Sequence, residues 1–277
     1  MPAAVAPPLP AAALQAQQQA LADLIAGCGS VVTAFSGGVD SSLVAFLAHR
    51  ALGDRALAVT SASESLTRED EALTRRLAAQ WGMAHRTILT RELEHPEYRA
   101  NPVNRCYHCK STLYADLKAL AHQEGYAVIL NGTNADDLAD LRPGSQAARE
   151  FQVRSPLAEC GLGKAEIRQL AAHLGLSNAG KPQAACLSSR VPYGFSISPD
   201  LLRQIEQAEA ALRGLGFAQL RVRHHDSIAR IEVPPEDFPR VLAQREAIEA
   251  SLTALGYRYV TLDLKGFRSG SLNEGLT

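Results

Sequence analysis

The chain has 277 residues, 46% of them hydrophobic and 21% charged, enough to bury one large core or two smaller ones without disulfide or metal staples. Lys and Arg number 28 against 29 Asp and Glu, and a net charge of −1 argues against a general binder of nucleic acid or of membrane surfaces. Five cysteines, odd in number and irregular in spacing, exclude a secreted disulfide framework, and no run of about 18 apolar residues marks a membrane span.

Residues 1–13, rich in Ala and Pro, read as a loose tail rather than a signal peptide, and the cytoplasm is the simplest compartment for free thiols. Apolar positions at helical spacing over 14–25 give a first helix. The apolar run 31–35 reads as a buried strand that stops at Ser36-Gly37-Gly38, and a helix follows over 41–52. Residues 56–60 form a second strand, and 67–81 an amphipathic helix with Thr67 as N-cap and Asp70 three residues on. A third strand at 85–89, a helix at 110–124 and a fourth strand at 126–130 complete an alternation that makes βαβ units and a parallel sheet.

Beyond Asn131 comes a loop rich in Asp and Gly, then a helix near 164–174. The stretch 178–199 is irregular and dense in Ser, Pro and Gly, and a loop of that length points to function. The pattern then changes: 200–212 helical, 218–224 and 228–233 paired strands, 235–255 helical, and a last strand over 257–264. The expected fold is an α/β parallel-sheet domain over 14–195 followed by a small α+β domain over 196–277.

Ser36-Gly37-Gly38-Val39-Asp40-Ser41-Ser42 lies between a strand and a helix. Glycines there let the backbone approach a ligand, their N–H groups form an anion nest, and the helix N-terminus and serine hydroxyls add to it. Asp40 suits a Mg²⁺ bridging phosphates, because that ion prefers carboxylate and phosphate oxygens. Neither Gly-x-x-x-x-Gly-Lys-Ser/Thr nor Gly-x-Gly-x-x-Gly occurs, which argues against a Walker loop and against a dinucleotide fold. An ordinary capped βα turn is the plainer reading, and the full seven-residue run goes beyond it.

This segment resembles the PP-loop of the ATP pyrophosphatase superfamily, which cleaves ATP to AMP and pyrophosphate. The resemblance implies ATP contacts from Ser36, Gly37, Gly38, Asp40, Ser41 and Ser42. It extends them to Thr60 and Ser61 at the end of the second strand, where the adenine is held. After the fourth strand it implies Gly132 and Thr133, with Asp136 or Asp137 approaching the nucleotide and its metal. A helix cap or solvated turn explains either aspartate equally well.

Cys106-Tyr107-His108-Cys109 is a single Cys-x-x-Cys, which half a zinc site or a redox pair would also show. Arg105 and Lys110 make its surroundings electropositive, favouring reactive thiolates. Cys186 stands among Lys181, Ser188, Ser189 and Arg190, which suggests an anion-binding loop rather than core packing. Cys28, at the end of an amphipathic helix, reads as core, and Cys160, in a loop before Gly161, has no assigned role, with a fourth metal ligand as the open alternative.

The segments 101–110 and 185–194, taken with the phosphate loop, resemble the LarE family, the ATP-dependent sulfur transferases of nickel-pincer cofactor biosynthesis. That likeness spans roughly residues 14–265. It implies adenylation of a carboxylate of pyridinium-3,5-biscarboxylic acid mononucleotide, then replacement of one oxygen by sulfur. In one form of the family a single cysteine, at the position of Cys186, gives up its sulfur and becomes dehydroalanine. In the other, three cysteines hold a 4Fe-4S cluster with one iron left open for sulfur. Cys106, Cys109 and Cys186 match the three-cysteine form. The cofactors implied are therefore ATP, Mg²⁺ and a 4Fe-4S cluster.

Period two places Arg221 and Arg223 on one strand face, suited to a phosphate; the resemblance implies the substrate's phosphate, or an anion at a subunit interface, near them and adds Ser189 and Arg190 as substrate contacts. A solvated strand face is the plainer reading of the arginine pair. His224 and His225 point to opposite faces, and Glu206 and Glu209 share a helix face that reads best as solvated charge. A homo-oligomer, trimer-based and hexameric, is carried over from the family. The rival readings are a PP-loop tRNA thiolase, which the near-neutral charge disfavours, an amidotransferase-type synthetase, and a non-enzymatic iron–sulfur or zinc carrier that leaves the phosphate loop unexplained.

Overall fold

The computed structural model describes residues 8–138, 143–182, 185–268 and 270–274. The chain divides into two compact units, one of Met1–Glu92 and Asn104–Ala184, the other of Leu93–Val103 and Ala185–Thr277. Among the described residues no helix is long and apolar enough to cross a membrane.

The first unit opens with α1 (Ala11–Ala26), β1 (Val31–Ala34), α2 (Val39–Leu52), β2 (Ala56–Ser61), α3 (Arg68–Gln80) and β3 (His85–Ile88). The chain gives one short helix, α4 (Pro96–Arg99), to the second unit. It then resumes with α5 (Arg105–Glu124), β4 (Val128–Leu130), α6 (Ala135–Leu138), α7 (Pro143–Glu150), α8 (Pro156–Glu159) and α9 (Lys164–His173). The four strands run parallel in the order β3-β2-β1-β4, so this unit is α/β as its sequence pattern predicts.

Successive residues of β1 face opposite sides of the sheet. Val31 packs with Leu21, Leu43, Leu47 and Ile167 from α1, α2 and α9, whereas Val32 packs with Leu117 and Ala147 from α5 and α7. Both faces are thus covered, which is why the strands read as short continuous apolar runs rather than alternating ones. Thr67 caps α3 by accepting from Asp70 N at 3.0 Å, as expected. Helix α1 starts at Ala11, three residues before the predicted start, and residues 1–7 of the expected tail lie outside the described residues. Helix α5 starts at Arg105 rather than 110. Its apolar stripe of Leu113, Leu117 and Leu120 begins only in the third turn, so the periodicity did not reveal the turn that carries Cys106 and Cys109.

The sheet order places β1 between β2 and β4, so the chain reverses direction of travel across the sheet at the β1–β4 boundary. In open α/β sheets a ligand crevice forms at that switch point, beyond the carboxyl ends of the strands.

The second unit contains α10 (Pro199–Gly214), β5 (Arg221–His225), β6 (Ile228–Glu232), α11 (Phe238–Ala243), α12 (Arg245–Thr253) and β7 (Tyr259–Leu262). Strand β6 pairs antiparallel with β5 and parallel with β7. The single helix expected over 235–255 is two: Gln244 leaves helical geometry at φ −103° and ψ 14°, interrupting the hydrogen-bond ladder. The segment 93–103 joins this unit through buried bonds. The Tyr98 and Ser188 hydroxyls lie 2.6 Å apart, and Asn101 Nδ2 donates to the Pro192 carbonyl at 2.8 Å.

Candidate active site

The phosphate loop leaves β1 at Phe35 and enters α2 at Val39. Gly37 has φ +70°, which favours glycine, and a Cβ there would also press on Thr74 Cγ2 at 3.1 Å. Ser41 Oγ donates to Gly38 O at 3.2 Å, accepts from Ser36 N at 3.2 Å and lies 3.0 Å from Ser36 Oγ. These bonds curl the loop around the start of α2, where the helix dipole adds positive potential. Asp40, in that first turn, forms an ion pair with Lys164 Nζ at 2.5 Å, while its Oδ1 is buried with no partner. A half-satisfied carboxylate beside a phosphate nest fits a Mg²⁺ that bridges carboxylate and phosphate oxygens.

The loop after β4 closes on this one. A Cβ on Gly132 would sit 2.6 Å from Ser41 N and 2.9 Å from Ser41 Cα, so backbone rests directly on the α2 N-terminus. Thr133 N donates to Asn131 Oδ1, and Asn131 is itself held by the Tyr114 and Ser155 hydroxyls. Asp137 and Asn134 exchange backbone-to-side-chain bonds at 3.1 and 3.2 Å, which caps α6. Asp136 Oδ2 accepts from Lys164 N at 2.7 Å. Thr60 is buried, and its hydroxyl donates to Phe35 O at 2.8 Å and meets His85 Nε2 at 2.9 Å, while Ser61 Oγ lies 2.5 Å from Thr90 Oγ1. Burial, and then the charge of Arg75, hold His85 below the ordinary imidazole range.

The expected nucleotide residues Ser36, Gly37, Gly38, Asp40, Ser41, Ser42, Gly132 and Thr133 therefore gather at the switch point. Sequence reading missed Lys164, Asn178 and His85. Lys164 looked only like the start of a helix, and no local pattern ties it to Asp40, 124 residues away.

Cys106 and Cys109 lie on the first turn of α5, three residues apart and so on one face, Cys106 exposed and Cys109 half-buried. That spacing fits two thiolates on one metal centre. Cys186 is exposed and belongs to the second unit; Gln183 and Ala184 of its motif lie outside the described residues. Among the described residues no three His, Cys, Asp or Glu side chains converge on a point that could hold a metal ion. Cys28 is core as expected, and burial raises the Cys160 thiol above its usual range.

In the second unit the expected phosphate contacts are buried, not solvated. Arg190 pairs with Glu209 at 2.8 and 3.1 Å, and its Nη1 donates to the carbonyls of Ala185 at 2.6 Å and Cys186 at 3.1 Å. Arg190 thus holds the backbone that carries Cys186. Arg223 pairs with Glu232 at 3.0 and 3.1 Å and donates to Ser189 O at 2.6 Å. Arg221 stacks its guanidinium 4.5 Å from the Phe267 ring centroid and donates to Arg268 O. Burial, with Arg223 and Arg190 nearby, lowers its pKa to about 10. Glu209 overturns the expectation of a solvated charge. It is fully buried because Arg190, Arg213 and the Val222 N–H all donate to it. A cleft of about 260 Å³ opens here, lined by Arg190, Arg223, His225 and Arg230. His225 Nε2 is buried without a partner, and burial followed by Arg230 and Arg223 keeps the ring below its ordinary pKa.

Comparison with known proteins agrees with this geometry. The asparagine synthase family model matches residues 14–173. The chain is 48% identical over 247 residues to the uncharacterized protein slr1717 of Synechocystis, covering 88% of this chain and 92% of the relative. It is 40% identical over 248 residues to the pyridinium-3,5-bisthiocarboxylic acid mononucleotide synthase of Lactiplantibacillus plantarum, covering 89% and 90%. The glutamine-hydrolyzing GMP synthase of Leifsonia xyli is 29% identical over 177 residues, covering 54% of this chain and 35% of that relative.

A serine–glycine loop between β1 and α2, seated under the β4 loop of a parallel sheet, is the build of a PP-loop ATP pyrophosphatase. The likeness to the L. plantarum synthase covers too much of the chain to end within that domain. The chain belongs to the LarE family of ATP-dependent sulfurtransferases.

Proposed function

We propose that this enzyme adenylates a carboxylate of pyridinium-3,5-biscarboxylic acid mononucleotide and exchanges one oxygen for sulfur, giving a thiocarboxylate. The observation that carries the reading is the 40% identity to the L. plantarum synthase over 89% of the chain. A carboxylate resists nucleophiles. Its oxygen attacks the α-phosphorus of ATP, pyrophosphate leaves, and the acyl-adenylate has a good leaving group. A sulfur nucleophile then adds to the acyl carbon, and AMP departs with the former carboxylate oxygen. The N–H groups and hydroxyls of residues 36–42 are suited to hold the departing pyrophosphate, and Asp40 would hold a Mg²⁺ that supplies positive charge there. Lys164, paired with Asp40, is placed to add a second cation when phosphates arrive.

For the second half-reaction, Cys106, Cys109 and Cys186 would hold a 4Fe-4S cluster, which would supply an open iron for the sulfur. The spacing of the first two cysteines on α5 supports this part of the reading. Ser189, Arg190, Arg221 and Arg223 would border the mononucleotide, a reading supported by the cleft that Arg190, Arg223 and Arg230 line. A homo-oligomer in the cytoplasm completes the proposal.

The test supplies ATP, Mg²⁺, the biscarboxylate mononucleotide and sulfide to anaerobically prepared protein. Pyrophosphate release together with the mass gain of one oxygen-to-sulfur exchange is the expected result. ATP consumption without that gain overturns the substrate assignment. Iron and acid-labile sulfide are measured alongside: about four of each per chain, lost in Cys106→Ala, is expected for the cluster. Absence of iron after reconstitution, with dehydroalanine at Cys186 after turnover, replaces it with the sacrificial route.

A further inference from the structure

We infer that Asn178 is a positioning residue for ATP, setting the orientation of the Gly37–Gly38 peptide before the nucleotide binds. The inference rests on ATP use at the phosphate loop. Asn178 lies 141 residues from that loop in sequence, yet its Nδ2 donates to Gly37 O at 3.0 Å and to Ser42 Oγ at 2.8 Å. The side chain is 6% exposed. The amide orientation is fixed by these partners, because a flipped amide would set its oxygen against the Gly37 carbonyl. Asn178 Oδ1 is left buried with no partner, a cost the molecule carries to keep both protons on the loop.

In a trans peptide the carbonyl and the following N–H point in opposite directions. Holding Gly37 O toward Asn178 therefore turns Gly38 N–H to the other side, where Ser36 Oγ lies at 3.4 Å. A Gly–Gly peptide has little steric resistance to flipping. The flipped form would present a carbonyl oxygen to the phosphates in place of an N–H. Asn178 selects the donor orientation and so prepares the nest without cost at the moment of binding.

The support behind Asn178 does not depend on its side chain. Arg168 donates to the carbonyls of Ala179 at 2.9 Å and Lys181 at 2.7 Å, and Lys181 Nζ pairs with Asp70 at 2.7 Å. Residues 178–181 are thus expected to stay in place when residue 178 changes. Two protons on one atom are needed: aspartate carries none, and alanine has no polar group.

The experiment compares wild type with Asn178→Asp and Asn178→Ala, each confirmed folded by circular dichroism and melting midpoint. ATP dissociation constants are measured by equilibrium dialysis, and kcat/KM for ATP by pyrophosphate release. We expect both variants to bind ATP about tenfold more weakly and to lose at least as much in kcat/KM. The Asn178→Asp loss should shrink on acidification, since a protonated buried carboxyl regains one donor for Gly37 O, while the Asn178→Ala loss keeps a constant ratio to wild type. A lowered melting midpoint with unchanged ATP affinity and kcat/KM makes Asn178 purely structural and overturns the inference. If wild type itself binds no ATP, the reading of the loop fails first, and the inference with it.

Discussion

At the scale of single residues, Gly132 has no room for a side chain. Its hydrogen faces the Ser41 backbone, and a methyl group there would lie well inside van der Waals contact. Gly132→Ala is expected to push the β4 loop off the α2 N-terminus and to lower ATP turnover about a hundredfold, the usual effect of a shift near 1 Å at a reacting site. Gly180→Ala, whose Cβ would meet nothing within 4 Å, is the control. Pyrophosphate release from the two folded variants decides it, and equal rates would refute the steric argument. Arg190 carries the complementary lesson. Its position beside Ser189 suggested a ligand contact, and the guanidinium also serves the Glu209 carboxylate and the carbonyls of Ala185 and Cys186.

At the scale of elements, α10 and β5 are joined by charge buried between them. Glu209 accepts from Arg190, Arg213 and Val222 N, so removing its carboxylate strands the buried Arg190 guanidinium. Glu209→Met is expected to destabilise by about 3–5 kcal/mol, and the double variant Glu209→Met, Arg190→Met to recover much of that loss. Urea unfolding of both proteins checks it; a double variant as unstable as the single one would contradict the pairing. The sequence made the helix and the strand legible through their apolar spacing, Leu202, Ile205, Ala208 and Leu212 on α10 above all. It did not make the ion pair legible. Arg190 and Glu209 are 19 residues apart and belong to different elements, and nothing local distinguishes a carboxylate facing solvent from one facing a buried cation. The phosphate loop was readable because its chemistry is contiguous, whereas Lys164 and Asn178 reach the loop only through the fold.

At the scale of the whole molecule, three histidines give stability a pH dependence of known sign. Burial is the main cause that lowers the pKa of His85, of His224 and of His225. The unfolded chain then takes up protons that the native state refuses. The stability tied to neutral rings is fully present above the unfolded pKa of about 6.5 and is lost as pH falls through the lower folded values. The melting midpoint should drop between about pH 7.5 and about pH 5.5, and replacing His85 and His225 with Gln should flatten that drop. An unchanged slope in the double variant would show that other groups carry it. The change from alternating strands and helices to a helix followed by paired strands was legible in the last third of the chain. The membership of residues 93–103 was not, because an eleven-residue excursion has no periodic signature of its own.

That excursion has a consequence for how the protein is made. Tyr98 meets Ser188 across 90 residues of chain, and Asn101 reaches Pro192 across 91. At roughly 5–20 residues per second of synthesis, the loop that carries Tyr98 emerges from the ribosome some 5–18 seconds before its partners exist. During that interval the ring of Tyr98 and the amide of Asn101 lack these partners, while β1, β2 and β3 of the first unit have already been made. The second unit can close only after its last portion has been translated, so a nascent chain arrested before residue 185 keeps this loop open to proteolysis.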